Sequence, residues 1–176
     1  MTTIRNITLD DLPDVVHMQH LCYDADFHET PASFRAKIAV TAETCWLALR
    51  HDVALAYLIT LPVSYADFPA LNAQTFMRSA APDVLYIHDL AVTPGGRAIG
   101  LGKTLIKHAF KAAEALRIAR VGLIAVQDSV AYWNRYGFAG AVPPQPELLA
   151  KIRSFGDNAR YMEMAVAGIA TNLPTR

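Results

Sequence analysis

"YIHDLAVTPGGRAIGLGKTLIKHAFKAAE", residues 86–114, reads as a buried strand, a glycine-bearing loop and a long amphipathic helix in that order. Val84 to Val92 is almost continuously apolar, as a strand covered on both faces should be. From Leu101 to Leu116 the apolar positions Leu101, Leu105, Ala109, Ala112 and Leu116 recur at helical spacing, and Lys103, Lys107, Lys111 and Glu114 fall elsewhere on the helix. The loop between them is Thr93 to Gly100; the stretch Gly95 to Thr104 ends in Gly-Lys-Thr, and two nucleotide motifs can be tested on it. A P-loop needs a glycine six residues before its lysine, and that position is Arg97. A dinucleotide fingerprint can start at Gly100 and Gly102, but its third glycine is replaced by Leu105. Both readings fail.

The loop does carry Arg97-x-x-Gly100-x-Gly102 at the start of a helix. The first N–H groups of a helix lack intrahelical partners, and the aligned peptide dipoles amount to about half a positive charge there. A pyrophosphate suits such a place. The glycines let phosphate oxygens approach the backbone, and Arg97 adds a charged fork beside them.

Outward from this segment, Ile4 to Thr8 alternates like a strand, and "LDDLPDVVHMQHLCY" opens with Asp10, Asp11 and Pro13 as helix starts do. A second short helical pattern follows Thr30-Pro31 through Phe34, Ile38 and Ala39. "TCWLALR", "HD" and "VALAYLITLPV" predict a hairpin, and residues 64–83 a long loop. Downstream, "ARVGLIAV" reads as a buried strand, "DSVAYWNRY" as a short helix stopped by Gly137, "VPPQP" as a loop and "RYMEMAV" as a late strand. One domain is expected over residues 1–168, with a loose tail at 169–176.

The 16 basic side chains balance the 16 acidic ones, so no net field gathers polyanions and nucleic acid is a poor partner. The longest apolar run stops at Pro62, short of the roughly 20 residues that span a bilayer. A cytoplasmic protein without membrane attachment is expected. Cys22 and Cys45 show no ligand spacing, so no metal is expected and each reads as a buried structural thiol.

Residues 86–114, followed by "VGLIAVQDSVAYWNRYGF" at 121–138, resemble the acyl-CoA-binding core of the GCN5-related N-acetyltransferase (GNAT) family, and the resemblance extends from Ile4 to about Val166. It implies an α/β acyl-CoA N-acyltransferase fold: a mixed, mostly antiparallel sheet splayed around the cofactor, with helices on both faces. It implies acetyl-CoA as cofactor and a primary amine of a small molecule or protein as acceptor, in a monomer or homodimer. By the family pattern Leu90, Ala91 and Val92 lie along the pantetheine arm. Arg97, Ala98, Ile99, Gly100, Leu101, Gly102, Lys103 and Thr104 surround the pyrophosphate. Leu90 and Val92 would also polarise the thioester carbonyl through backbone N–H groups.

The family carries Glu or His at the position of His88, and an imidazole ionising near ~6.5 suits removal of an amine proton. Alternation along the strand puts the neighbouring Asp89 on the opposite face. For the acid, the family tyrosine four residues before the closing Gly-Phe is here Trp133, which lies by the cofactor but has no phenolic proton to give. Tyr132 is the candidate acid, ahead of Tyr136. Glu29 and Asp26 read as solvated loop acids that could attract a cation. Tyr23, Phe27, Phe34, Tyr65 and Phe68 hint at an apolar acceptor, selected by the segment around them, the 64–83 loop and "VPPQP". Two rivals stand beside catalysis: a non-catalytic acyl-CoA-binding module, which Trp133 favours, and a binder of another anion such as a nucleotide.

Overall fold

A computed structural model describes residues 1–141 and 146–166. The tail at 169–176 and all of "VPPQP" except Pro146 lie outside the described residues. Strands β1 (Thr2–Asn6), β2 (Cys45–Arg50), β3 (Val53–Val63), β4 (Val84–Val92), β5 (Arg120–Ala125), β6 (Ala139–Gly140) and β7 (Arg160–Ala165) form one sheet in the order β1-β2-β3-β4-β5-β7-β6. All pairs are antiparallel except β4 with β5. The β2–β3 hairpin turns on His51 and Asp52, both at positive φ (50° and 61°), as a two-residue connection matched to strand twist requires.

Alternation along the strands builds two cores, one per face. Trp46, Ala48, Ala56, Leu58, Leu85 and Ile87 pack with α4 (Leu101–Ala115) and α5 (Val130–Asn134). Cys45, Leu47, Tyr57, Ile59, Val84 and Tyr86 pack with α1 (Leu12–Cys22), α2 (Pro31–Thr41) and α6 (Pro146–Arg153). Helix α4 lies against the sheet, burying the expected Leu101, Leu105 and Ala109 with Ile106, Phe110 and Ala113, while Ala112 is half-buried and Leu116 lies past the helix end and is exposed. Helix α6 was not expected. Its anchors Leu148 and Ile152 are four apart and follow a proline-rich stretch, too short a pattern to stand out.

The loop after β4 also contains a helical turn. Pro94–Ala98 forms α3, with the Thr93 hydroxyl accepting from the Gly96 N–H at 3.3 Å. Gly96 is fixed by space: a Cβ there would stand 2.7 Å from the Leu55 carbonyl oxygen. Gly96→Ala must therefore push α3 off β3. We expect it to cost about 1–3 kcal/mol, read as a lower midpoint in urea unfolding with an unchanged slope.

Two departures in the sheet make a site. The β4–β5 ladder runs only from Val84↔Arg120 to Ile87↔Leu123, so beyond Ile87 the strands part. In the β3–β4 ladder Ile59 faces Asp89 and Thr60 faces Ile87, leaving His88 as the extra residue of a β-bulge.

Candidate active site

The bulge overturns the expected placement of Asp89. Leu85 and Ile87 belong to the α4 core and Val84 and Tyr86 to the α1/α2 core; after the bulge Leu90 and Val92 face α4 and Ala91 faces α1/α2. The parity flips at 88–89, so His88 and Asp89 point to the same face. His88 packs beside Tyr86, with ring centroids 5.8 Å apart, and Asp89 accepts the Tyr57 hydroxyl at 2.6 Å. Bulges cannot be read from one strand alone, because register belongs to the pair.

Where β4 and β5 part, a cleft of about 590 Å³ opens. Its walls include Ile87 to Leu90 and Val92 on one side and Leu123, Ile124 and Val126 on the other. Arg97, Gly100, Gly102 and Lys103 stand at one end, with Tyr132 and Trp133 alongside; Tyr23, Phe27, Glu29, Leu71 and Phe155 also line it. The predicted loop and the predicted base thus meet in one cavity.

The open edge of β4 has a definite polarity. Thr93 donates its N–H to the Leu55 carbonyl at 3.0 Å, which sets the phase of the antiparallel ladder. Leu90 and Val92 therefore turn their peptide groups away from β3, into the cleft. The Leu90 carbonyl accepts the Tyr23 hydroxyl at 2.8 Å, and the Val92 carbonyl accepts Arg97 Nε at 2.9 Å. Ala91 pairs with Tyr57 and has its methyl buried, and Leu101 is buried between α4 and the sheet, so neither presents a side chain to the cleft. Ala98 and Ile99 are exposed in the turn, and the Thr104 hydroxyl donates to the Gly100 carbonyl at 3.2 Å.

The cradle fits a pyrophosphate. Gly100 caps α4 at φ 72°, a backbone setting that favours glycine, and a Cβ there would meet nothing within 4 Å. A Cβ on Gly102 would meet the Tyr132 hydroxyl at 2.8 Å. The fifteen-residue α4 thus begins at an open Gly100 beside Arg97, with the Tyr132 hydroxyl over Gly102.

The other end of the cleft holds a buried polar cluster. Glu29 is only 5% exposed, against the expectation of a solvated acid. His88 Nε2 lies 2.5 Å from its Oε1; Lys37 Nζ, the Asn72 N–H and Ser33 Oγ lie 2.8, 2.8 and 2.7 Å from its Oε2. Burial would raise the Glu29 carboxyl, but His88 and Lys37 more than offset it and hold it well below the usual carboxylate range. An ionised carboxylate only accepts, so the ring proton of His88 sits on Nε2. Nδ1 is buried and has no hydrogen-bond partner among the described residues.

Asp89 behaves differently. Burial raises its carboxyl to about 6, although Tyr57, Tyr23 and His88 work against the rise. Because the folded chain holds this proton more tightly than the unfolded one, ionising Asp89 costs stability as pH rises from about 4 to about 6. Asp89→Asn is expected to stabilise the fold by of order 2 kcal/mol above that window and by nothing below it, measured by urea unfolding across the pH range.

Tyr132 lines the cleft, with Arg135 over its ring at 5.0 Å, and burial keeps its phenol protonated well above the ordinary range. Trp133 is 7% exposed and packs edge-on against Phe138. Cys45 is buried as expected, but Cys22 is not a core thiol: it is half-buried, lines the cleft and lies against Arg97 and the Val92 N–H. Tyr23 and Phe27 line the cleft, whereas Phe34 and Phe68 are core and Tyr65 packs on Arg120. Among the described residues, no helix is long and apolar enough to cross a membrane.

The family model for the acetyltransferase (GNAT) family matches residues 4–138. No curated protein matches the chain. Among solved structures, the loading GNATL domain of CurA from Lyngbya majuscula superposes with a TM-score of 0.78 at 10% identity, over 95% of this chain and 98% of that one. The ribosomal-protein-S18-alanine N-acetyltransferase from Escherichia coli gives 0.65 at 19% identity, over 94% of each chain. Arabidopsis thaliana Naa50, in complex with the bisubstrate analogue CoA-Ac-MVNAL, gives 0.65 at 14% identity, over 93% of this chain and 97% of that one. At these identities the likeness is one of fold.

Proposed function

The chain belongs to the acetyltransferase (GNAT) family, and we propose that it transfers an acetyl group from acetyl-CoA to a primary amine in the cytoplasm, with His88 as general base. The observation that carries this reading is the His88–Glu29 contact, which keeps the ring proton on Nε2 and leaves Nδ1 as the acceptor nitrogen of a residue lining the cleft. An alkyl amine with pKa near ~10 arrives charged at neutral pH, so a base must take its proton before it can attack.

Acetyl-CoA, when bound, supplies the activated acyl group. Arg97, Ala98, Ile99, Gly100, Lys103 and Thr104 would surround its pyrophosphate, with the first turn of α4 at Leu101 and Gly102 giving N–H groups and dipole. The open edge of β4 from Leu90 through Ala91 to Val92 would hold the pantetheine arm, with Trp133 packed nearby. Asp89 offers a carboxylate to the ammonium, His88 Nδ1 takes a proton from it, and Phe27, Leu71 and Phe155 give its body an apolar wall. A backbone N–H of Val92 or Leu90 would favour negative charge on the acyl oxygen. Tyr132, held protonated, would give its phenolic proton to the departing sulfur and recover one from solvent, while the amine proton leaves through His88.

The test is thiol release from acetyl-CoA with a panel of amines: phenethylamine and other apolar monoamines, lysine, glutamate and peptide N-termini. Amine-dependent release supports transfer. Acetyl-CoA binding without release on any amine contradicts it and leaves the non-catalytic acyl-CoA-binding module in its place.

A further inference from the structure

The base proposed above rests on Glu29, and Glu29 rests on a lysine that never meets solvent. Lys37 is fully buried, its ammonium 2.8 Å from Glu29 Oε2 and 2.5 Å from Ser33 Oγ, with the Ser33 and Ala73 carbonyls at 3.3 and 3.4 Å. The arrangement begins in the sequence of α2. Thr30 caps the helix by accepting the Ser33 N–H at 3.2 Å, Pro31 starts it, and Ser33, Lys37 and Thr41 then fall on one row at intervals of four. That row is buried beside the apolar pair Phe34 and Ile38. The 64–83 loop closes over it: the Asn72 N–H bonds Glu29, and the Ala73 carbonyl lies 2.9 Å from Ser33 Oγ.

A buried ion pair is a weak stabiliser, because desolvation of both charges can exceed their attraction. Here the pair also touches a third group, since Glu29 Oε1 bonds His88. We propose that Lys37 is a positioning residue for His88, acting through Glu29: it balances the carboxylate's charge, so that Glu29 can orient the ring through Nε2 without drawing a second proton onto Nδ1. This inference rests on the reading of His88 as base.

The groups around His88 come from several elements: Tyr23 at the end of α1, Glu29, Lys37 in α2, Tyr57 in β3, and Tyr86 and Asp89 in β4. Burial keeps the three tyrosines protonated, so they bring no charge. Lys37 is then the cation set against the two carboxylates. Without it, both carboxylates favour an imidazolium, which cannot act as a base.

Lys37→Met keeps much of the side-chain length and removes the charge. We expect kcat/KM at neutral pH to fall by roughly tenfold or more, the KM for acetyl-CoA to stay, and activity to return as pH is raised. The double variant Glu29→Gln with Lys37→Met buries no unpaired charge, and its acid limb should return to the wild-type position. A wild-type acid limb in Lys37→Met, or a loss equal at every pH, overturns the inference. Should the single variant fail to fold, nitrogen NMR of the wild-type His88 ring decides: a proton on Nε2 alone at neutral pH supports it, and an imidazolium or an Nδ1–H tautomer overturns it. That measurement needs no turnover. A His88→Gln enzyme with unchanged rate would therefore refute the base while leaving the role of Lys37 separately judged.

Discussion

Replacing His88 by glutamine is expected to lower kcat/KM for amine acetylation by about 10²–10⁴, the range a positioned general base contributes. Glutamine keeps a donor for Glu29 and so tests the base without stripping the buried carboxylate. Among the described residues the ring makes one hydrogen bond, to Glu29 Oε1, while Lys37, Asn72 and Ser33 bond Oε2. The loss should fall on kcat, because His88 stands away from the pyrophosphate cradle. Raising the pH should recover part of it, since more of the amine then arrives neutral. Steady-state kinetics over a pH series reads both features. An equal rise in the KM for acetyl-CoA would instead mean that His88 shapes the cofactor groove.

Arg97→Glu should act on the other parameter. Its Nε is spent on the Val92 carbonyl, which aims the rest of the guanidinium beside the start of α4. Losing charged hydrogen bonds to a phosphate costs about 1.5–3 kcal/mol, and the reversed charge adds repulsion. We expect the KM for acetyl-CoA to rise by about 10² or more, with kcat at saturation close to wild type. Arg97→Lys should fall between, since it keeps the charge and loses the fork. Kinetics with acetyl-CoA varied at saturating amine measures it.

These two residues were legible in the sequence for different reasons. Arg97, Gly100 and Gly102 were found because a helix start is local: glycine freedom, dipole and cap all lie within a few residues. His88 came from its place in a family pattern. What surrounds it was hidden. Asp89 was assigned to the wrong face because its orientation depends on a bulge fixed by pairing with β3. Glu29 read as a solvated loop acid because its burial depends on α2 and on Asn72, which is 43 residues away. Lys37 sits in a polar row beside an apolar one, and helical period alone cannot say which row faces inward. Its one visible sign was the spacing Ser33, Lys37, Thr41.

The fold was readable further than the site. Hairpin, buried strands and α4 follow from periodicity and turn residues, and the splay of β4 from β5 follows from the resemblance. The turn α3 and the short α6 lay below what a pattern of five or eight residues can signal.

Both expected effects depend on an acyl-CoA site between the parted strands and the α4 cradle. Calorimetric titration of the protein with acetyl-CoA, beside CoA and Mg-ATP, tests it most directly. Saturable heat is expected with both CoA species, with mutual competition between them, and none with Mg-ATP. An absence of heat and of competition with acetyl-CoA would contradict it, leaving the loop at Arg97 as a connection between strand and helix.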